Sequence, residues 1–313
     1  MSDNWKTAAL TLHNTGLLSR RKIAKLVGVP RSTCLDFLRG VEPNEIEVAQ
    51  SKEGKTHLVI PDSQVRPDVS IEYLRWIGAY ICKKRPDSII HLGDFADMSS
   101  LGVYDKGKRS AEGKRVYADI DAAREGMKAL MTPLWNLQAQ QKLAGEPVYK
   151  PRLVLTLGNH CDRITRHVNA NPELHGFLSI DSLGYKEFGW EVVPFLTPIN
   201  IDNVNYCHYY PNVMTGKALG GSALNMLKTI GESFVMGHRQ TLDVATRFLP
   251  ASGRQQWGII SGACYTHEED YKGKQGNHHW RGIITLHNVK DGSFDPLFIS
   301  LEWLERTFGK VVH

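Results

Sequence analysis

Short apolar runs, each followed directly by polar residues, recur along the chain and predict five buried strands. The runs cover residues 57–61, 88–92, 153–157, 204–207 and 234–236. Runs of this length that end abruptly in polar residues are typical of strands buried inside a sheet. Apolar runs at 257–260, 282–286 and 297–301 predict later strands, and two helical segments are predicted over 116–131 and then to about residue 143.

The polar residues after the first five runs are rich in aspartate, asparagine, glutamine and histidine. They form five motifs: Asp62-Ser63-Gln64, Gly93-Asp94-Phe95-Ala96-Asp97, Gly158-Asn159-His160, His208, and Gly237-His238-Arg239-Gln240. Strand ends bring side chains from distant parts of a chain to one edge of a sheet. Carboxylate, amide and imidazole groups at one edge suit divalent cations. Two such cations about 4 Å apart can clamp a phosphoester and activate water.

The order of these five motifs resembles the calcineurin-like metallophosphoesterase superfamily over residues 55–303. The whole arrangement also resembles phosphoesterases encoded by tailed phages and prophages. The resemblance implies an α/β (α+β) fold, in which a two-layer β-sandwich is flanked by helices on both outer faces. It also implies a hydrolase of phosphoester bonds, in which a hydroxide that bridges two metal ions attacks phosphorus.

The resemblance assigns the metal ligands residue by residue. One ion would be held by Asp62, Gln64, Asp94 and Gln240, and the second by Asp94, Asn159, His208 and His238. Gln64 and Gln240 stand where the family usually has histidine, and both fall in the same site. Because an amide oxygen is a harder and weaker ligand than imidazole, this site should favour manganese or magnesium over zinc. We expect two divalent ions, Mn²⁺ first, with Mg²⁺, Fe²⁺ or Zn²⁺ as alternatives; a one-metal or inactive site is the other interpretation.

Further residues of the same motifs are candidates for catalysis or support. In the family, the histidine at the position of His160 contacts phosphate and can protonate the leaving oxygen. An acidic residue often follows it directly, but here Cys161 intervenes before Asp162, so whether Asp162 orients His160 stays open. Asp97 is expected to hydrogen-bond within the site rather than to bind metal. His91, inside the second strand, is interpreted as a hydrogen-bonded core histidine.

Other basic and aromatic residues near the motifs are candidates for substrate contact. Arg163 follows the third motif, and His278 and His279 lie in a stretch, 261–282, rich in glycine, histidine and aromatic residues. An aromatic side chain there could stack on a base. The alternatives are a solvated helix face for Arg163, loop packing for the histidines, and an extra metal ligand at His267 or His278. The basic stretch 104–115 either guides a polyanion or is a solvated loop.

A basic segment near the N terminus predicts a helix-turn-helix unit. The stretch 19–39 holds six basic residues and one acid, which accounts for the whole net charge of +5. Gly28 suits the turn, because positive φ needs no Cβ, and Pro30 suits the start of the second helix. The pattern resembles the helix-turn-helix motif, whose second helix enters the major groove. The residues that would contact DNA are Arg31, Ser32, Thr33 and Arg39.

Three parts follow from this pattern: a helix-turn-helix unit over 1–42, a linker over 43–55 and a phosphoesterase domain over 56–313. Apolar residues make up 42% and charged residues 23% of the 313 residues, as in soluble globular proteins. No apolar run reaches the roughly 18 residues that span a bilayer, and the first residues lack a signal-peptide core. We therefore expect a cytoplasmic location (host cytoplasm if phage-encoded) and no membrane partner. The five scattered cysteines predict free thiols.

The function expected from these parts is that of a metal-dependent DNA nuclease. The step from phosphoesterase to nuclease depends mainly on the basic N-terminal unit, since a fold alone does not give a substrate. The alternatives are a phosphatase or cyclic-nucleotide phosphodiesterase acting on small substrates, or a DNA-binding scaffold whose phosphoesterase domain is degenerate. DNA is the expected partner, and a homodimer is compatible with a helix-turn-helix unit. The alternative to DNA binding is a helical hairpin that packs on the catalytic domain or makes a dimer.

Overall fold

Two units make up the chain, Met1–Gly54 and Lys55–His313. The computed structural model describes residues 5–6, 9, 20–39, 54–103, 107, 109, 112–269 and 273–309. Nearly all of the predicted linker, and much of the basic stretch 104–115, lie outside the described residues. The last residue of that linker, Lys55, belongs to the first strand instead.

The N-terminal unit contains the predicted pair of helices. They are α1, Arg20–Val27, and α2, Arg31–Phe37. Gly28 lies in the turn at φ +72°, and Pro30 is the N-cap of α2. The two helices share a small buried core formed by Ala9, Ile23, Ala24, Cys34 and Leu38. Before α1, the structure describes three helical residues, Trp5, Lys6 and Ala9.

The second unit contains two mixed β-sheets. Its strands are β1 Lys55–Ile60, β2 Ser88–His91, β3 Arg152–Thr156, β4 Glu191–Val193, β5 Ile199–Ile201, β6 Val204–Cys207, β7 Phe234–Met236, β8 Leu242–Leu249, β9 Arg254–Ser261, β10 Gly282–Lys290 and β11 Ser293–Ser300. One sheet has six strands in the order β11-β10-β1-β2-β3-β4, of which β1 to β4 are parallel. The other has five strands in the order β5-β6-β7-β9-β8, with β6, β7 and β9 parallel.

Helices connect the strands of the second unit. They are α3 Glu72–Lys84, α4 Val116–Ala144, α5 Arg163–Ala170, α6 Ala223–Ile230, α7 Gly273–Asn277 and α8 Leu301–Phe308, with short 3₁₀ turns at Ser99–Leu101, Pro172–Leu174 and Ile180–Leu183. Among the described helices, none is long and apolar enough to cross a membrane.

The two sheets pack face to face, because alternate residues of each buried strand point to opposite sides. Val59 of β1 and Ile90 of β2 share a buried cluster with Val204 of β6 and Val235 of β7. Their strand neighbours, such as Leu58, belong to a second cluster in which the outer face of the six-stranded sheet packs on α3 and α4. The result is a mixed α/β sandwich with helices outside the sheets.

Helix α4 corrects the prediction of two separate helical segments. It runs through Pro133 as one helix, although proline removes a backbone hydrogen bond in a helix interior. The physical reason lies in its packing against α3. A Cβ at Gly78 of α3 would lie 2.5 Å from the Leu130 carbonyl oxygen and 2.8 Å from Pro133 Cγ. The close approach of the two helices at Gly78 therefore holds the proline turn in place.

The strand predictions differ from the structure mainly at their ends. Strands β6 and β7 have the predicted bounds, whereas β1, β2 and β3 each begin and end within about two residues of them. The apolar pattern places Leu301 in the last strand, but Leu301 is the first residue of α8, because Ser300 caps that helix by accepting from Trp303 N. All five cysteines are free thiols, as predicted.

His91 ends β2 and is fully buried, and both of its ring nitrogens are hydrogen-bonded. Gly93 N donates to His91 Nδ1 at 3.2 Å, so the ring proton lies on Nε2, which is 2.9 Å from Ser63 Oγ. Burial, with a smaller effect from nearby His208, lowers the pKa of His91 to about 3 against the opposing effect of Asp94. His91 is therefore a neutral core histidine that ties the end of β2 to the segment after β1.

A neutral buried His91 makes stability depend on pH. The unfolded chain binds a proton at His91 below about pH 6.5, whereas the folded chain does not, so stability is lost as pH falls. We expect His91 alone to lower the free energy of unfolding by about 2 kcal/mol between pH 7 and pH 5. Urea unfolding of the wild type and His91→Gln at both pH values measures this difference. Equal pH dependence in the two proteins would contradict it.

Candidate metal centre

The five sequence motifs lie at the carboxyl ends of their strands. Asp62 follows β1, Asp94 follows β2 and Asn159 follows β3, while His208 and His238 follow β6 and β7 of the other sheet. Because these strands are parallel within each sheet, their carboxyl ends share an edge, and the packed sheets bring the two edges together. The motifs therefore meet at one edge of the sandwich.

Direct contacts join these motifs to one another. His208 Nε2 lies 3.2 Å from Asp94 Oδ2 and 2.9 Å from Asn159 Oδ1. Asn159 Oδ1 also lies 2.8 Å from His238 Nδ1, and His238 N donates to Asp62 Oδ1 at 3.0 Å. Ligand atoms around one small cation lie about 3 Å apart when each is about 2.1 Å from it. The spacing therefore fits a shared cation.

The chemistry of the donors also fits a metal ion. One ligand atom each from Asp94, His208 and His238 lies within 4.8 Å of the others. His208 Nδ1 is 2.7 Å from the Leu92 carbonyl oxygen, so the Nδ1–H donates outward and Nε2 faces the cluster. Among the described residues, Asp62 Oδ2 is buried without a hydrogen-bond partner. Since a buried carboxylate oxygen without a partner is costly, a cation is the group that would satisfy it.

The backbone at the cluster is held in an uncommon conformation. Gln64, Asp94, His238 and Gln240 have positive φ values of 43°, 47°, 68° and 58°. Non-glycine residues adopt this region rarely, and it concentrates at functional sites where the surroundings enforce it. Four predicted ligands are therefore aimed by strained turns rather than by regular strands.

The third motif needs its glycine because two loops touch there. A Cβ at Gly158 would collide with Oδ1 and N of Asp94. This approach lets His160 N donate to Asp94 Oδ1 at 2.8 Å. The glycine thus places the second and third motifs side by side.

Gln64 and Gln240, which replace the usual histidines, are both buried at the site. Gln64 is 1% exposed and Gln240 is 7% exposed. Gln64 Nε2 has no hydrogen-bond partner among the described residues, and Gln240 Oε1 accepts a hydrogen bond from the Tyr265 hydroxyl at 2.9 Å. An amide oxygen has two lone pairs, so Gln240 Oε1 retains the capacity to bind a cation as well.

The titration of the cluster reflects its crowded charges. Burial alone would lower the pKa of His208, but Asp94 and Asp62 raise it to about 9. Burial raises the pKa of Asp62 to about 6, whereas His208 and His160 hold the pKa of Asp94 well below its usual range against burial. Burial and the His208 charge lower the pKa of His238 to about 4. Metal binding therefore competes with a proton on His208.

His160 lies beside the cluster and is oriented by Asp97. His160 Nδ1 is 2.6 Å from Asp97 Oδ1, and Arg163 Nη2 is 3.2 Å from His160 Nε2. Asp97 also pairs with Arg163 Nη1 at 3.3 Å and Arg66 Nη1 at 3.7 Å. Burial acts to lower the pKa of His160, but Asp94 and Asp97 raise it above its usual value. His160 therefore holds a proton more strongly than an ordinary histidine.

Asp162, a catalytic candidate by sequence, is placed elsewhere. It is the N-cap residue of α5, and its Oδ2 lies 3.3 Å from Arg166 Nε. Its carboxylate turns toward the next turn of the helix because Arg166 lies four residues on. Arg166 Nη2 also donates to the Asn159 carbonyl oxygen at 2.7 Å. Asp97 takes the orienting role that Asp162 was a candidate for.

The late loop reaches the site through Tyr265 rather than through its histidines. His267 Nε2 lies 2.9 Å from Glu269 Oε1, so this nitrogen is engaged by a carboxylate. His278 is exposed, and His279 Nδ1 donates to the Gly276 carbonyl oxygen at 2.8 Å. Among the described residues, the cluster of candidate ligand groups consists of Asp94, His208 and His238 and does not include these three histidines.

Several side chains at the site have no counterpart among the sequence predictions. They are Arg66, Phe195, Tyr209, Tyr265 and Glu269. Two of them adjoin motif residues, since Arg66 follows Gln64 by two positions and Tyr209 follows His208 directly. Residues flanking a strand-end motif are therefore the signal that would find them.

The predicted DNA-contacting residues lie on the surface of the N-terminal unit. Arg31, Ser32, Thr33 and Arg39 are all exposed, and Arg39 Nη2 lies 3.5 Å from Asp36 Oδ1. This ion pair is on the surface, so it contributes little to stability.

Comparisons with known proteins find a distant relative encoded by a phage. No family model matches the sequence. The Gene 54 protein of Mycobacterium phage L5 is 23% identical over 215 residues, which cover 66% of this chain and 78% of the phage protein. A solved structure aligns with 79% of this chain and 100% of its own at 12% identity, but its TM-score of 0.30 is too low to indicate a shared fold.

Proposed function

We propose that this chain is a calcineurin-like metallophosphoesterase that hydrolyses phosphodiester bonds in DNA. The observation that carries the proposal is the convergence of Asp62, Asp94, Asn159, His208 and His238 at one edge of the sandwich. Carboxylate, amide and imidazole ligands with the Asp94 carboxylate at their centre suit cations that handle phosphate. The similarity to a phage protein supports a phage or prophage origin.

Two divalent ions, with Mn²⁺ first, complete the proposed site. Asp94, Asn159, His208 and His238 would hold one ion, and Asp62, Asp94, Gln64 and Gln240 the other. The second set is all oxygen once the glutamines bind through their carbonyls, which favours manganese or magnesium. Bound there, the ions would draw charge from phosphoryl oxygens and acidify water.

The chain's own groups would handle the leaving oxygen and the phosphate charge. Asp97 accepts from His160 Nδ1 and, with Asp94, favours the doubly protonated ring, whose Nε2–H would donate to the leaving oxygen. Arg163 Nη2 can only donate to Nε2, so it would turn from that nitrogen toward a phosphoryl oxygen once His160 carries its second proton and substrate enters. Arg166, exposed on the same helix, adds positive charge near Asn159. Together they act as acid and phosphate clamp.

DNA is proposed as substrate because of the basic N-terminal unit. Its second helix presents Arg31, Ser32 and Thr33 to solvent, and these groups can contact phosphates and base edges. The unit has a small buried apolar core, and burial of these side chains stabilises the packing of the two helices. A substrate that binds this unit would be held on the same chain as the catalytic edge.

Removing the proposed DNA-contacting side chains should reduce DNA turnover without reducing hydrolysis of a small phosphodiester. We expect Arg31→Ala/Ser32→Ala/Thr33→Ala to lower kcat/KM for end-labelled DNA by roughly 10-fold or more at moderate salt, because phosphate contacts supply much of the affinity. Hydrolysis of a 4-nitrophenyl phosphodiester with Mn²⁺ should stay within about twofold, since none of the substituted residues is a proposed metal ligand or phosphate-binding group. Single- and double-stranded DNA are both assayed, which also gives strand preference and polarity.

Arg254→Ala, an exposed arginine on β9, is the matched control for lost surface charge. Unchanged DNA turnover in the triple variant would remove the support for DNA as substrate and favour a small phosphoester. Hydrolysis of neither substrate, with fewer than one manganese bound per chain, would favour the DNA-binding scaffold with a degenerate domain. The paired glutamines Gln64 and Gln240 are the observation behind that last interpretation.

A further inference from the structure

Tyr209 is an aromatic side chain that contacts the candidate metal ligands without being one of them. It follows His208 at the carboxyl end of β6, and its ring centroid lies 4.6 Å from that of His238 and 5.8 Å from that of His208. Residues at this edge of a sheet face the place where ligands bind. Tyr209 therefore borders the site of the proposed chemistry.

Tyr209 belongs to the partly exposed side chains at the cluster. Asp62, Asp94 and His208 are at most 1% exposed, whereas Asn159, His238 and Tyr209 are only partly buried. A phosphoester that reaches the cluster from its exposed part would therefore pass close to the Tyr209 ring.

Phe195 supports Tyr209 from behind. The two rings meet edge to face, with centroids 5.5 Å apart and planes at 84°. The next residue, Leu196, has φ 63°, which is uncommon for a bulky residue and marks a backbone held in place by its surroundings. Phe195, beside this turn, packs edge to face on the Tyr209 ring and restricts the orientations open to it.

Two charged side chains of the α5 region lie near the phenol. Burial, the largest effect, raises the pKa of Tyr209, whereas Arg166 lowers it and Asp162, which pairs with Arg166, raises it. The same guanidinium donates to the Asn159 carbonyl oxygen and so sits beside a proposed ligand. An aromatic face and a guanidinium next to a phosphate-handling centre match the two parts of a nucleotide, its base and its phosphate.

We propose that Tyr209, backed by Phe195, is an aromatic platform that stacks on the nucleobase next to the scissile phosphate and thereby selects nucleic acid over simple phosphoesters. This inference rests on the proposed phosphoesterase function. It gives the catalytic edge a nucleotide preference of its own, independent of the N-terminal unit. Stacking on a tyrosine tolerates every base, so the platform favours nucleotides without reading sequence.

Two esters that differ only in the presence of a nucleoside test the platform. They are thymidine 5′-(4-nitrophenyl phosphate) and methyl 4-nitrophenyl phosphate, assayed with Mn²⁺ on the full chain. We expect Tyr209→Leu to raise KM for the thymidine ester by roughly 5- to 100-fold, the range of one lost base stack, and to leave KM for the methyl ester within about twofold. Tyr209→Phe keeps the ring and should keep both KM values.

Tyr117→Leu, which removes an exposed tyrosine from α4, is the matched control and should behave as wild type. Equal rises of KM for both esters in Tyr209→Leu would overturn the platform, because the residue would then act on the cluster itself. A binding measurement keeps the test independent of turnover: wild type and Tyr209→Phe should quench the fluorescence of 2-aminopurine deoxyribonucleoside 5′-monophosphate, and Tyr209→Leu should not. Quenching without hydrolysis of either ester would refute the phosphoesterase but not the platform, whereas no quenching by wild type would refute the platform.

Discussion

Replacing Asp94 by asparagine should lower kcat/KM for phosphodiester hydrolysis by at least about 10³-fold. Removing a residue that only hydrogen-bonds to a metal ligand typically lowers metal affinity or activity by about 10- to 100-fold. Asp94 is itself a proposed ligand, shared by both ions, so its loss should cost more. Asp94 contacts His208 Nε2 and accepts a hydrogen bond from His160 N, so the substitution also weakens the contacts that position these two histidines. The asparagine keeps the shape of the side chain and removes only its charge. Loss of bound manganese, measured on the purified chain, should accompany the loss of rate.

Asp202→Asn is the matched control for this substitution. Asp202 is also a carboxylate hydrogen-bonded to a histidine, with its Oδ2 2.9 Å from His57 Nε2, and it is partly buried. It lies before β6, at the strand end opposite His208, so its loss should leave metal content and rate near wild type. Full activity of Asp94→Asn, or equal losses in both variants, would contradict the assignment of Asp94 as the shared ligand.

The surroundings of Gln64 and Gln240 bear on why glutamine stands at both positions. The side chains of Gln64 and Gln240 are buried, and each is carried on a left-handed backbone residue. A surface position that had merely drifted from histidine would need neither burial nor strain. The Tyr265 hydroxyl holds Gln240 Oε1, which orients the amide and fits a position kept for oxygen ligation.

Much of the site could be predicted because strand ends are local events in the sequence. The run 204–207 is apolar except for Asn205 and stops at His208, and the run 234–236 is wholly apolar and stops at Gly237-His238, so the bounds of β6 and β7 follow directly. The ligand motifs sit immediately after such runs. Parallel strands then bring Asp62, Asp94 and Asn159 to one edge without further information.

The rest of the fold depends on contacts that no local pattern contains. Strands β4 and β5 have three residues each, too few for alternation to be recognised, and β8 is half-exposed along its length. The path of α4 through Pro133 depends on Gly78 of another helix. No prediction covers α3, although its buried Tyr73, Ile77 and Tyr80 recur at helical spacing.

The partners of His160 show the same limit within the site. Sequence proximity favours Asp162, two residues away, but the structure pairs His160 with Asp97, which is 63 residues away. Asp162 is drawn to Arg166 by the turn of α5. Which carboxylate orients a histidine is decided by how loops pack, and adjacency in sequence carries little weight against that.

His160→Gln should lower kcat for a DNA phosphodiester by about 10²- to 10⁴-fold, the usual contribution of a positioned general acid. A DNA leaving group is an alkoxide and needs a proton, whereas 4-nitrophenolate departs readily without one. The same variant should therefore lose less than about 10-fold on a 4-nitrophenyl phosphodiester. Steady-state kinetics with the two substrates measure this difference in leaving-group dependence.

The raised pKa of His160 gives the prediction a pH signature. Burial opposes the charge, but Asp94 and Asp97 keep His160 protonated above its ordinary range, so DNA cleavage by the wild type should fall on the alkaline side as this proton is lost. Asp97→Asn removes one of the two stabilising charges and should move that alkaline limb to lower pH. His287→Gln, another partly buried histidine, should change neither limb nor rate. An equal loss on both esters in His160→Gln would show that His160 binds phosphate and transfers no proton to the leaving oxygen.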